Sequence, residues 1–227
     1  KFNNIYGDQF KDKLVWTKFG TPIYDSLFKL EENEEIIESK KKLNLPEDKI
    51  IVVCGYNGKI EQQHLPIIYT LAEIPQEIKE KIYLVVPMTY GVPDEQYVIK
   101  VSEALVSSGY DGLIMKHFLS DDDSARFRRS TDIFIHMQTT DAFSASMQEH
   151  LFAGSVVING SWLKYKELDD KGVFYYKIDK IEQLALLVPD IINNFEEVKK
   201  TFQINRGLMG DSLSWKSLAN QWVELYK

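Results

Sequence analysis

From residue 50 onward, short apolar runs alternate with longer amphipathic stretches. The runs at residues 50–54, 82–87, 112–116, 132–137, 155–159 and 173–178 are close to continuously apolar rather than strictly alternating. Strands covered on both faces have this pattern, so the runs predict a parallel sheet. Helical periodicity fills the intervals at 62–74, 93–108, 121–130 and 144–153. Strand–helix–strand alternation requires right-handed crossovers. The expected fold is therefore α/β: a Rossmann-like parallel sheet of about six strands with helices on both faces. Such sheets bind ligands beyond the carboxyl ends of their strands, which directs attention to the loops after strands one, three and four.

The flanks read differently. Residues 13–25 (KLVWTKFGTPIYD) look like an extended segment passing through Gly20 and Pro22 into a linker. Residues 31–43 form a very charged helical pattern, closed by Leu45-Pro46-Glu47-Asp48. Toward the other end, residues 181–192, 195–202 and 212–226 read as helices. The last offers Leu213, Trp215, Leu218, Trp222, Leu225 and Tyr226 as apolar surface, so it must pack on this sheet or on a domain outside this sequence. The chain opens on Lys1 in mid-pattern, which predicts a piece of a longer protein.

Composition narrows the picture. The chain has 227 residues, 44% hydrophobic and 27% charged, ordinary for one globular domain. The net charge of −7 argues against nucleic acid as a partner, because that needs a basic footprint. Lys40–Lys42 and Arg126–Arg129 fall in helical segments and read as solvated faces. A lone cysteine, Cys54, excludes an internal disulfide and suits a reducing, cytoplasmic compartment. Its place in an apolar run makes it a buried structural thiol.

Two loops can carry chemistry. The first reads Gly55-Tyr56-Asn57-Gly58-Lys59 and leads into a helix. Its glycines allow close backbone approach, the helix start favours anions, and Lys59 adds a charge for phosphate. The other reading is an ordinary turn in which Asn57-Gly58 supplies only geometry. Neither a G-x-G-x-x-G nor a P-loop pattern is present. The second loop, residues 139–154, places Asp141 before a helix and Glu149 eight residues on. Small residues at Ala142, Ser144, Ala145 and Ser146 leave that helix start open. Backbone amides there suit a diphosphate, and the two carboxylates suit hydroxyls on either side of it. The alternative reading makes Asp141 a cap and Glu149 surface charge. Glu149 precedes apolar Leu151-Phe152-Ala153, so its face should be half-buried, where an unpaired carboxylate is costly.

Residues 131–159 resemble the signature of GT-B glycosyltransferases of the large retaining family four (glycosyl transferases group 1). That signature has a strand, an acid, a Gly-Phe-Gly-like tripeptide, a second acid eight residues after the first, then a small-residue turn and another strand. Here the acids are Asp141 and Glu149, the aromatic is Phe143, and the turn is Ala153-Gly154-Ser155. The likeness extends over residues 44–226. It implies that residues 45–210 are the nucleotide-sugar-binding, C-terminal half of a GT-B fold. Residues 1–44 become a linker and residual segment from a missing N-terminal domain, and residues 211–227 a helix packing back toward that domain.

The resemblance also implies roles. Glu149 would hold the donor ribose. Asp141 and the amides of Phe143, Ser144 and Ala145, with Ser146 beside them, would hold the donor sugar and distal phosphate. Lys59 and the loop of Gly55, Tyr56, Asn57 and Gly58 would neutralise the departing diphosphate. Main-chain groups near His117 and Phe118 would read the base. Asp141 and Lys59 are thus the catalytic candidates. The implied reaction is transfer from a nucleotide-diphosphate sugar donor to a glycan, lipid or protein acceptor, with retention and without metal or cofactor. The acceptor would be held by the missing N-terminal domain or a partner subunit, with any peripheral membrane association residing in that half. A non-catalytic binding module with a transferase-like fold is the alternative. This chain departs from the pattern at Asp141, where Glu is usual, at Ala142 and Ser144, where Gly is usual, and at Tyr56, where Arg is typical.

The remaining polar signals are weaker. Asp121-Asp122-Asp123 opens a helix, where acids favour the dipole, rather than ending a strand as a metal motif would. The four histidines lack metal-ligand spacing. His136, inside a strand, reads as a satisfied core residue, and His117 as the histidine nearest a ligand. No Gly-x-Ser-x-Gly elbow exists.

Overall fold

The computed structural model describes residues 23–210 and 214–227, together with residues 7, 9, 12, 15, 17, 20 and 21. Six parallel strands form one open sheet: β1 (Ile50–Cys54), β2 (Ile82–Pro87), β3 (Asp111–Met115), β4 (Ile133–His136), β5 (Val156–Gly160) and β6 (Tyr176–Ile178). Their order across the sheet is β3-β2-β1-β4-β5-β6. The chain therefore winds outward from β1 to one edge, then returns to β4 and winds to the other. This is the Rossmann-like topology expected. Strands β4 and β5 are buried along their whole length, which is why their sequences show no polar alternation.

The helices are α1 (Ile23–Asn33), α2 (Ile36–Lys42), α3 (His64–Ala72), α4 (Gln76–Lys79), α5 (Glu95–Ser107), α6 (Asp121–Ser130), α7 (Ala145–Phe152), α8 (Lys166–Asp170), α9 (Leu184–Asn193), α10 (Phe195–Met209) and α11 (Trp215–Glu224). Helix α3 packs against α5 and α9, while α6 packs against α1, α2 and α7. Right-handed crossovers put these two groups on opposite faces of the sheet. Side chains fully buried between helix and sheet include Phe127, Phe134, Phe152 and Phe202. Each such burial contributes about 1.5–3 kcal/mol.

Several expectations change. The charged helix expected over 31–43 is instead two helices meeting at Glu34 and Glu35, and α1 begins eight residues earlier than the pattern suggested. Its apolar stripe of Tyr24, Leu27 and Leu30 is buried against the body of the domain. Of the expected extended segment at 13–25, residues 13, 14, 16, 18, 19 and 22 lie outside the described residues, and its end, Ile23–Asp25, is helical. The strand expected from 173 starts at Tyr176, and the helix expected to end at 202 runs on to Met209.

The two basic clusters are solvated only in part: Lys41 and Lys42 are exposed as expected, but Lys40 and the arginines are not. Lys40 is buried, donates to the Lys49 carbonyl at 2.9 Å and pairs with Asp132 at 3.6 Å. Arg126 holds both carboxylate oxygens of Glu34, Arg129 donates to the Glu34 carbonyl, and Arg128 pairs with Glu149. Charge alone suggested exposure; partners on other elements made burial affordable. Cys54 is buried, as expected, and burial pushes its thiol far above the usual range.

Candidate functional site

The loop after β1 is built around Gly55, whose φ of +69° suits glycine. An added Cβ would stand 2.8 Å from the Gln62 carboxamide and 3.1 Å from the His64 ring. Gln62, fully buried, accepts from the Tyr56 amide and donates to the Gln138 side chain at 2.6 Å. Tyr56 donates its hydroxyl to that same Gln138 oxygen at 2.6 Å, so the loops after β1 and β4 are braced together. Burial, then the Asp141 charge, raises the Tyr56 hydroxyl pKa, keeping it a neutral donor. Asn57 accepts from the Lys59 amide at 2.9 Å, and Gly58 donates to the Tyr90 carbonyl at 2.7 Å. Lys59 is exposed, its stem lying over Gly91.

The loop after β4 delivers Asp141, and Ser144 caps α7 by accepting from the Met147 amide at 3.1 Å. That cap leaves the amides of Ala145 and Ser146 without an intrahelical partner. The Ser146 hydroxyl is buried and unpartnered among the described residues. Asp141 accepts from the Ala142 amide at 2.6 Å and from the Tyr165 hydroxyl at 3.2 Å. Burial alone would raise its pKa, but the nearby His136 ring, with the Ala142 amide and the Tyr165 hydroxyl, outweighs that and lowers it. One turn and more along α7, Glu149 pairs with Arg128 at 3.1 Å and is half-buried, as its neighbours implied.

These pieces enclose one cavity of about 420 Å³ at the carboxyl ends of the strands. It lies where β1 and β4 sit side by side and their loops part in opposite directions, the switch point at which such sheets bind ligands. Of the residues expected from sequence, the cavity gathers Gly55, Tyr56, Phe118, Asp141, Phe143, Ser144, Ala145, Ser146 and Glu149. Asn57, Gly58, Lys59 and His117 do not line it; Asn57 and Gly58 shape the turn, and His117 is exposed. Sequence reasoning missed Arg128 and Tyr90, which do line it. Tyr90 stacks on Phe118 with ring centroids 5.7 Å apart and planes 12° apart, an aromatic wall at the mouth.

His136 also departs from expectation. It is fully buried, and its Nδ1 lies 2.9 Å from the Asn159 carboxamide oxygen. Its Nε2 makes no hydrogen bond and stands 3.6 Å from Asp141 Oδ2, at the floor of the site. Asp121, Asp122 and Asp123 form the first turn of α6 under a Ser120 cap, and no group of three metal-ligating side chains occurs among the described residues.

No protein-family model and no curated protein matches the sequence. Solved structures match the fold. A glycosyltransferase from Rickettsia africae ESF-5 is 16% identical with a TM-score of 0.75, over 99% of this chain and 61% of that one. Anabaena Alr3699/HepE in complex with UDP and glucose is 14% identical with a TM-score of 0.69, over 93% of this chain and 56% of that one. WaaG, a glycosyltransferase involved in lipopolysaccharide biosynthesis, is 14% identical with a TM-score of 0.70, over 93% and 55%. The likeness is one of fold: this chain has the architecture of the C-terminal half of a GT-B glycosyltransferase. It spans little more than half the length of these chains.

Proposed function

We propose that the cavity binds a nucleotide-diphosphate sugar, and that the chain is the donor half of a retaining, metal-independent glycosyltransferase. The observation carrying this reading is the convergence, on one cavity, of the β1 loop, Asp141, the open start of α7 and Glu149. HepE, which shares the fold, has been captured with UDP and with UDP-glucose. On this reading the diphosphate lies against the Ala145 and Ser146 amides, where the helix end favours negative charge. Glu149 takes the ribose hydroxyls and Asp141 those of the sugar, while Phe118 and Tyr90 flank the base. Transfer then needs little beyond positioning and stabilisation of the departing diphosphate. Lys59 joins that task only by leaving its place over Gly91. The acceptor, a glycan, lipid or protein, would be held by the part of the protein outside this chain.

A binding module without transfer activity is favoured by one observation: Lys59 lies outside the cavity, leaving Arg128 as its lining cation. Calorimetric titration with UDP, GDP, dTDP and ADP separates the possibilities. One diphosphate should bind and Glu149→Ala should weaken it at least about tenfold, the scale of a lost charged hydrogen bond. No binding of any at millimolar concentration would sink the donor reading. The chain alone should not transfer sugar, and turnover of UDP-glucose in its presence would show the acceptor half to be dispensable.

A further inference from the structure

The Asn159 side chain fixes the protonation of its neighbour. Its Nδ2 donates to the carbonyls of Gly160 at 2.8 Å and Leu163 at 3.2 Å. Carbonyls only accept, so the amide cannot be flipped, and Oδ1 is what faces His136. His136 Nδ1, 2.9 Å from that oxygen, must therefore carry a proton. In the neutral ring this leaves Nε2 as a bare lone pair. That lone pair would be buried without a donor and aimed across 3.6 Å at the Asp141 carboxylate. Two acceptors face to face at 3.6 Å repel each other, the more so because the Nε2 end is buried with no donor to turn to. A second proton on Nε2 converts the repulsion into an ion pair.

We infer that His136 is a positioning residue for Asp141: a doubly protonated ring, oriented by Asn159, that holds the Asp141 carboxylate ionised and turned toward the cavity. The other groups packed on the ring allow this. The Tyr56 ring stacks at 5.9 Å, the Phe134 ring at 5.7 Å and the Tyr165 ring is tilted at 6.1 Å. The first and third are neutral phenols. His150, behind Phe134, is held neutral by burial first and then by Arg128, His136 and Lys199. Asp141 is thus the sole anion against the ring among the described residues. The Tyr165 hydroxyl and the imidazolium both approach Oδ2, while Oδ1 takes the Ala142 amide. With its orientation fixed in advance, the carboxylate loses little freedom when it accepts from a ligand hydroxyl.

This role rests on the donor-domain reading only for what Asp141 binds; the ion pair itself is independent of it. Two measurements on the 227-residue chain keep them apart. Nitrogen-15 NMR of His136 at pH 7 should show both ring nitrogens protonated, and Asp141→Asn, a change in a loop, should return the ring to a neutral form with its proton on Nδ1. A ring already neutral in the wild type, or one unmoved by Asp141→Asn, overturns the inference. Titration with UDP-glucose and with UDP reads the consequence. His136→Gln should weaken UDP-glucose about tenfold and UDP less than about twofold, because only the sugar meets Asp141. Asp141→Asn should give the same split, which guards against a His136 variant that folds poorly. Equal loss for both probes overturns the positioning role. If neither probe binds the wild type, the donor reading fails while the NMR result still decides the pair.

Discussion

At the scale of single residues, the site depends on backbone freedom as much as on charge. Gly55→Ala sets a Cβ against Gln62 and His64 at a φ of +69°. The change should cost about 1–3 kcal/mol in urea denaturation and also loosen the brace to Gln138. An unaltered midpoint would mean the loop relaxes freely. Asp141, Glu149 and the small residues between them were legible because they follow one another along a single strand–loop–helix unit. Arg128 and Tyr90 were not, since each arrives from a separate connection and only the sheet brings it to the cavity. His136 was half legible: its burial followed from the apolar run, but the direction of Nε2 follows from Asn159 on the next strand.

At the scale of elements, the joint between α1 and α2 is locked rather than loose. Glu34 accepts from Ser39 at 2.7 Å, Lys42 at 2.7 Å and Arg126 at 3.0 Å, tying the joint to α6. Burial alone would raise the pKa of its carboxyl, but these donors, Arg126 foremost, lower it to about 2. The sign follows: a carboxyl with a lowered folded-state pKa stabilises fully above its unfolded value near 4.5 and loses that contribution as pH falls toward 2. Glu34→Gln should therefore be less stable than wild type at pH 7, by at most about 3 kcal/mol. The gap should narrow steadily between pH 5 and pH 2. A gap independent of pH would assign the loss to packing instead. The sequence showed one charged helix here because residues 31–43 hold no glycine or proline to mark a break, and the partner that ties the joint to α6, Arg126, lies 92 residues away.

At the scale of the whole molecule, strand count, parallel arrangement and the position of the cavity were readable from the apolar runs and their spacing. Both flanks were read less well. Helix α11 buries Leu218 but leaves Val223 exposed, as are Leu225 and Tyr226 just beyond its end, and Trp215 stands over Gly20. What that helix meets beyond these residues is not written in a local pattern. Among the described residues no helix is long and apolar enough to cross a membrane.

The strand order also imposes a sequence of events in time. The Ile50 amide donates to Lys81, which arrives with β2, whereas the Gly55 amide donates to Ile135 at 3.0 Å and Ile51 to Asp132 across 81 residues. Neighbours along β1 thus wait for different parts of the chain. Closing the longer loop is slower, so the half-sheet β1–β3 can form while the crevice does not yet exist. Pulsed hydrogen exchange during refolding should find Ile50 protected before Gly55. Simultaneous protection would mean that both halves assemble in one step. If the order holds, every molecule passes through a stage in which the apolar edge of β1 is bare, which makes mutations that delay β4 a hazard for aggregation before they are one for ligand binding.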